Sequence, residues 1–483
     1  MFLGIDIGTS SVKAVLTDAD GAVAGSASRP CTVSRPHPLW SEQEPEDWVA
    51  AAVAAVDELA DRQPEALAGV LGIGFSGQMH GAVLLGADNR VLRPAILWND
   101  GRSHRQCATL EETLPTLRTL SGNIAMPGFT APKLLWVAEE EPEVFAALAK
   151  VLLPKAYVRW RFTGAMVEEM SDASGTLWLD VAKRDWSDDL LAATRMTRAH
   201  MPDLAEGSDA VARLSPELAR RWGMRNPPVV AGGAGDCAAS AVGLGAIAPG
   251  DGFLSLGTSG VVWRTTDRFL PNPAMAVHAF CHALPGVWHQ MGVMLSSAAS
   301  LAWAASTLGA PEAALLAPLG DAVDGPSPVA FLPYLSGERT PHNDATVRGL
   351  FAGLSAETTR DAMVQAVLEG VAFAARDNLV ALGEGAPTVF DLAGGGSRSG
   401  LWARICADAL GVTIHRIEDG EVGAALGAAH LGRMAATGEA PATVCRKPRR
   451  LETFTPDPAR AEAYSQAWLR WRRLYPLAKE FAS

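Results

Sequence analysis

The 483 residues contain no Gly-Lys-Ser or Gly-Lys-Thr, so a Walker-type phosphate loop is excluded. The six cysteines, Cys31, Cys107, Cys237, Cys281, Cys406 and Cys445, are scattered with no C-x-x-C pair, which removes zinc ribbons and thioredoxin-type redox chemistry. Positive charge is in deficit, 41 Lys and Arg against 53 Asp and Glu for a net charge of −12, and this argues against a surface that coats nucleic acid. No uninterrupted apolar run reaches about 18 residues, the length of a membrane span. The opening MFLGIDIGTS has no basic region ahead of its apolar residues, so a cytoplasmic protein that neither spans a membrane nor is secreted is expected.

What remains is a chain large enough to bury its own core, with 48% apolar residues and 19% charged. At roughly 150 residues per domain, three domains would be the prior. An internal repeat changes that count. LGIDIGTSSVKAVLTD reads as strand, Gly8-Thr9-Ser10 turn, strand; FLSLGTSGVVWRTTD repeats the pattern around Gly257-Thr258-Ser259, half a chain away. Two similar lobes follow, residues 1–244 and 245–483, each opening with a hairpin, with a hinge near residues 243–252. Helical spacing over 48–59, 132–136, 361–382 and 401–410 alternates with strand signals over 70–75 and 388–393, which makes the lobes α/β. The long 361–382 segment reads as amphipathic, and residues 459–481 as one surface helix laid across a lobe.

Several glycine patterns need sorting. Gly72-Ile73-Gly74-Phe75-Ser76-Gly77 has the spacing of a dinucleotide fingerprint, but a strand follows it instead of a helix, so the fingerprint context fails. The two Gly-Thr-Ser tips are better phosphate candidates, since glycine allows backbone amides to approach an anion closely; Gly8, Thr9, Ser10, Lys13, Gly257, Thr258 and Ser259 form this set. A third turn, Gly394-Gly395-Gly396-Ser397, lies between a strand and a helix and leaves room for a flat adenine or ribose. Net charge does not forbid this, because a few local donors decide binding at a site.

Two acids stand out. Asp236 follows Gly232-Gly233-Ala234-Gly235 at the start of a helix; a helix cap explains the acid, but the small residues packed before it favour a ligand-facing, catalytic position. Asp6 lies inside an apolar strand, where a bare carboxylate is costly. It addresses a metal ion or a lysine, or lies at an edge in water. Gln78-Met79-His80 and Trp98-Asn99, at the ends of apolar strands, offer polar groups beside an aromatic wall and suit a polyhydroxylated ligand; a structural His80 and a core Trp98 are the plain alternatives. The polar loop 335–342 is a cleft rim or an interface.

Together these motifs resemble the sugar-kinase, heat-shock chaperone and actin ATPase superfamily. Gly128, Thr130, Lys133, Leu134 and Trp136, and Gly349, Phe351, Gly353 and Leu354 through Ala366-Val367-Leu368-Glu369, are similar to the two signatures of its FGGY carbohydrate kinases. The resemblance implies two ribonuclease-H-like lobes around a cleft, ATP and Mg²⁺ as cofactors, and phosphorylation of D-xylulose at its 5-hydroxyl. By resemblance, Asp236 is the base, Met79 and His80 contact the ketose, and Asp6 is the acid near the metal, in its outer shell. Ala362 and Cys237 depart from the family pattern, the latter beside the base. The implied partners are a ketose and ATP, with a homodimer plausible and neither nucleic acid nor membrane involved. A kinase for ribulose, fuculose or glycerol is the nearest alternative reading, and a non-catalytic nucleotide switch a more distant one.

Overall fold

The computed structural model describes residues 1–418 and 423–482, and two mixed sheets carry its chain. In the first sheet the strands are β1 (Phe2–Ile7), β2 (Ser11–Thr17), β3 (Val23–Pro30), β4 (Gly72–Gly77), β5 (Ala210–Arg213), β6 (Val229–Ala231) and β7 (Ala234–Gly235). They lie in the order β3-β2-β1-β4-β6-β5, with β7 also on β4. The second sheet holds β8 (Gly252–Leu256), β9 (Gly260–Thr266), β10 (His278–Cys281), β11 (Trp288–Met294), β12 (Val389–Ala393), β13 (Thr413–Ile417) and β14 (Arg450–Phe454), in the order β10-β11-β9-β8-β12-β13-β14.

Six strands correspond in position and direction. β3-β2-β1 and β11-β9-β8 are antiparallel. β1-β4-β6 and β8-β12-β13 are parallel, and β5 and β14 close the two sheets antiparallel. The three-residue likeness of the two hairpins is thus the visible part of a duplicated lobe.

Apolar spacing explains which helix faces are covered. In the helix Pro45–Arg62, Trp48, Ala52, Val56 and Leu59 recur every three or four residues and are fully buried, covering β2 and β3. The helix Gly423–Thr437 differs, because it lies on the first sheet although it comes from the second half of the chain. Where the two backbones come closest, the residues on both sides are glycine or alanine. A Cβ at Gly4, Gly72 or Gly74 would run into the carbonyl of Ala425, Gly432 or Ala428. The fingerprint-like glycines of β4 are therefore helix-packing residues that let two backbones touch.

Two expectations need correction. The helix Arg360–Ala381 is buried on nearly all sides from Val364 onward, since the C-terminal segment covers its outer face. That segment is two helices, Pro458–Trp471 and Leu474–Ala482, anchored by buried aromatic donors: Tyr464 Oη bonds Glu369 at 2.8 Å and Trp468 Nε1 bonds Asp377 at 2.9 Å. No helix among the described residues is long and apolar enough to cross a membrane.

Candidate active site

Three parallel strands of the first sheet end at one edge. Ile7 of β1 and Gly235 of β7 both pair with Gly77 of β4, so the next residues, Gly8 and Thr9, Gln78 to His80, and Asp236, emerge side by side. In the second sheet Ser255 of β8 pairs with Ala393 of β12, and Gly257 and Gly394 emerge in the same way. Carboxyl edges of such strands are where open α/β sheets bind ligands, because the loops there diverge and leave a crevice. Here a cavity of about 1110 Å³ opens between the lobes. Asp6, Lys13, Cys237 and Ser240 line it from the first lobe, and Ser255, Gly257, Thr258 and Gly394 to Gly396 from the second.

Of the two acids, Asp6 lines the cavity, whereas Asp236 is not a lining residue and reaches it only through its neighbour Cys237. Asp6 lies between Ser76 and Lys13, its register partners on the neighbouring strands. Ser76 Oγ donates to Asp6 Oδ1 at 2.8 Å. Burial nevertheless raises the Asp6 pKa, with the Ser76 bond and the Lys13 charge opposing. Asp236 is the first residue of the helix Asp236–Gly243, and its carboxylate accepts the Cys237 amide at 2.7 Å. Burial, and then the negative charge of Asp6, push Asp236 up to about 6. Cys237 contributes an amide and a thiol that burial holds protonated, so this departure from the family pattern leaves Asp236 without a side-chain amide neighbour at that position.

The glycines ahead of Asp236 have a structural cause. Gly233 has φ of +85°, and a Cβ there would strike the Phe75 carbonyl; one at Gly235 would press on Met79. The turn is gripped from behind as well. Gly235 N donates to Glu169 Oε1 and Ser171 Oγ, both at 3.0 Å, and the buried Arg159 donates to Gly232 O. Glu168, Glu169 and Asp172 are clustered as metal ligands often are, but Lys155 Nζ lies 2.7 Å from Glu168, so the protein supplies the cation itself.

Gly235 packs on Met79, next to which lies a polar, ring-walled region around His80. His80 Nδ1 is 2.6 Å from Gly175 O; a carbonyl only accepts, so Nδ1 carries the proton and Nε2 is left as an acceptor. Burial lowers this imidazole to about 3, which keeps it neutral. Its ring stands edge-on to Phe129 at 4.7 Å. Trp98 Nε1 donates to Thr9 Oγ1 at 2.9 Å, Thr9 Oγ1 to Gln78 Oε1 at 2.9 Å, and Gln78 Nε2 to Gln43 Oε1 at 3.0 Å. The first hairpin tip is thereby tied to the region around His80.

Comparison with known proteins gives the family of this two-lobed fold. Models of the N- and C-terminal domains of the FGGY family of carbohydrate kinases match residues 1–243 and 252–436. The chain belongs to the FGGY family of carbohydrate kinases. It is 49% identical to the xylulose kinase of Escherichia coli strain K12 over 98% of both chains. The xylulose kinase of Bacillus subtilis strain 168 is 36% identical, over 89% of this chain and 87% of that one. A crystal structure from Brucella ovis, described as a xyloylose kinase, superposes with a TM-score of 0.96 at 51% identity over 99% of each chain. A Plasmodium falciparum glycerol kinase at 17% identity shares the fold, with a TM-score of 0.87.

Within this FGGY kinase the expected residues are distributed unevenly. Asp6, Lys13, Gly257, Thr258, Gly394, Gly395 and Gly396 line the cleft. Gly394, at φ of +81°, backs directly onto Leu256 and Gly257, so the second and third glycine turns form one wall. Ser10 and Ser259 are exposed at the hairpin tips. Ser397 Oγ is turned back onto Gly394 O at 2.7 Å. Asn99 is exposed and lines a separate outer hollow with Trp40 and His37. Its neighbours Asp100 and Arg102 are ion-paired at 2.7 Å under Trp40.

Part of the cleft wall carries no motif in the sequence. Ala298, Ala299 and Ala302 of the helix Ala298–Thr307 line the cleft, with Ala313 and Leu316 beyond. Alanines carry no motif; their signal is the lack of bulk. The sequence also leaves open the loop 335–342, from which Arg339 bears on this region. The Arg339 guanidinium makes no hydrogen bond or ion pair among the described residues, and its charge acts on both His80 and His278.

Proposed function

We propose that this FGGY kinase transfers the γ-phosphoryl group of ATP to the 5-hydroxyl of D-xylulose, giving D-xylulose 5-phosphate and ADP in D-xylose catabolism. The observation that carries the reading is the position of Asp236. It leaves its strand end beside Gln78 and directly precedes Cys237, which lines the glycine-walled cleft, and this reading puts the meeting of attacking hydroxyl and terminal phosphate at its carboxylate. The choice of sugar rests on the xylulose kinases to which the chain is similar over its full length.

Asp236 accepts the proton of the 5-hydroxyl as that oxygen attacks in line, a general-base role worth about 10²–10⁴ in rate. With a pKa of about 6 it is ionised at neutral pH and remains a stronger base than an ordinary aspartate. Positioning contributes more, because the transition state of phosphoryl transfer is loose and needs little covalent work from the protein. His80 Nε2 accepts from a sugar hydroxyl, and Met79 packs against the carbon chain. Gly257, Thr258 and the Gly394 turn hold the nucleotide, with Lys13 facing the phosphates. The carboxylate of Asp6 is a hard oxygen donor of the kind Mg²⁺ takes, and it would hold the hydrated ion from the outer shell. When bound, the ion neutralises charge on the β- and γ-phosphates. Closure of the lobes about residues 243–252 keeps water from competing with the sugar.

The test is an ADP-release assay over a panel of ketoses and polyols. The highest kcat/KM is expected with D-xylulose; a strong preference for ribulose or glycerol refutes the sugar assignment while leaving a kinase.

A further inference from the structure

His80 has a backbone conformation that its residue type resists. Its φ is +68°, in the left-handed region, where a residue with a Cβ is strained. Such strain persists only where the surroundings impose it. Two side chains of one helix, Thr130–Glu140, do so here. Lys133 Nζ donates to the His80 carbonyl at 2.7 Å and Thr130 Oγ1 to the same oxygen at 3.1 Å. Lys133 reaches a second carbonyl, that of Gly128, at 2.8 Å.

The way Lys133 is housed sets it apart. Its relative exposure is 0%, yet it has no ion pair among the described residues; its recorded partners are two backbone carbonyls. A buried ammonium without a carboxylate is costly, so it is an expensive means of satisfying two carbonyls unless their positions matter. The second carbonyl adjoins Phe129, whose ring stands against His80, and the imidazole is held at its far side by Gly175. Backbone, ring edge and ring nitrogen are thus fixed from three directions, and Nε2 is the ring nitrogen with no hydrogen bond among the described residues.

We propose that Thr130 and Lys133 are positioning residues for the sugar site, acting through the His80 carbonyl to hold the imidazole acceptor where a sugar hydroxyl meets it. The inference rests on the sugar-kinase reading above and deepens it. It also gives the Gly128-x-Thr130-x-x-Lys133 motif a physical task without direct contact to sugar or nucleotide.

Three variants test it: Lys133→Met, which removes the donors at similar length; Thr130→Val, which removes the hydroxyl at constant shape; and Thr130→Ser, which restores it. The sugar KM is expected to rise about tenfold or more in Lys133→Met and about threefold in Thr130→Val, and to return to within about twofold of the parent in Thr130→Ser. The ATP KM and kcat stay within about threefold of the parent throughout. That split is what a merely structural role does not produce, since general loosening alters both substrates together. Folded variants that keep the parental sugar KM, or that move both KM values in parallel, overturn the proposal. Should Lys133→Met fail to fold, the Thr130→Val and Thr130→Ser pair decides alone. A parent chain that phosphorylates no sugar defeats the kinase reading itself, whereas an active parent with unresponsive variants defeats only this inference.

Discussion

The two Gly-Thr-Ser hairpins share a sequence and a place in their sheets, but their surroundings differ. In the first, Asp6 pairs with Lys13 across the strands and the Thr9 hydroxyl is bonded to Trp98 and Gln78. In the second, the position corresponding to Asp6 is Ser255, opposite Val261. The Gly257 and Thr258 carbonyls there accept amides of Ala298 and Ser297 at 2.7 and 3.0 Å, at the start of an alanine-rich helix. The first copy carries charge and is tied to the sugar side; the second is uncharged and forms a smooth wall with Gly394. The two edges are alike in backbone and differ in a few polar residues, and the proposed function gives chemistry to the first and the nucleotide to the second.

If chemistry belongs to the first edge, removing its base has the largest effect. Asp236→Asn is expected to lower kcat by two orders of magnitude or more while leaving both KM values within a few-fold. Near-parental turnover would take the base role from Asp236 and erase the contrast between the lobes.

A second change runs the other way and makes the second edge resemble the first. Ser255→Asp places a carboxylate in the nucleotide wall without the lysine that faces Asp6. The triphosphate then meets an added like charge, and the ATP KM should rise roughly tenfold with the sugar KM unchanged. An unchanged ATP KM would mean that the neutrality of this edge is incidental.

How much of this contrast was legible before the fold was known follows from where its causes lie. The tips, Asp6, Asp236 and the Gly394 turn carry local patterns, and their placement at strand ends follows from alternating periodicity. The glycines of β4 carried a local pattern too, but their cause is the helix 423–437, more than 340 residues away in the chain, so spacing alone pointed at the wrong ligand. The Arg360–Ala381 helix looked amphipathic because its acids are polar by type; in the fold Glu369 and Asp377 are buried against Tyr464 and Trp468. Long-range partners reverse the meaning of a residue where local patterns cannot register them.

The tips themselves can be compared directly by matched substitutions of moderate effect. Thr9→Val breaks the Trp98-Thr9-Gln78 chain and should raise the sugar KM about three- to tenfold, with little change for ATP. Thr258→Val alters a cleft-lining residue of the second tip and should act on the ATP KM instead, by a few-fold. Steady-state kinetics with each substrate varied in turn measures both. Equal effects of the two variants on the same substrate would show that the hairpins have not diverged in role.

The smallest expected effect concerns stability, and it separates a charged functional edge from a neutral one. The folded pKa of Asp236 lies near 6, above the ordinary aspartate value of 3.8, because the carboxylate is enclosed and faces Asp6. Above pH 6 the folded protein therefore holds an ion that the unfolded chain would hold more comfortably. As pH falls from 6 towards 3.8 the folded state takes up a proton before the unfolded state does, and the penalty from this group fades. Asp236→Asn removes the ion without changing shape. It should stabilise the protein by about 1–2 kcal/mol above pH 6, after allowance for the solvent that reaches this side chain, and raise Tm by a few degrees. The difference between variant and parent should shrink steadily as pH is lowered towards 4. Ser255→Ala, at the neutral position of the second edge that corresponds to Asp6, should show no such pH-dependent gain. Thermal melts of the three proteins between pH 4 and pH 8 provide the check, and a gain for Asp236→Asn that is flat with pH would place its origin in packing instead of charge.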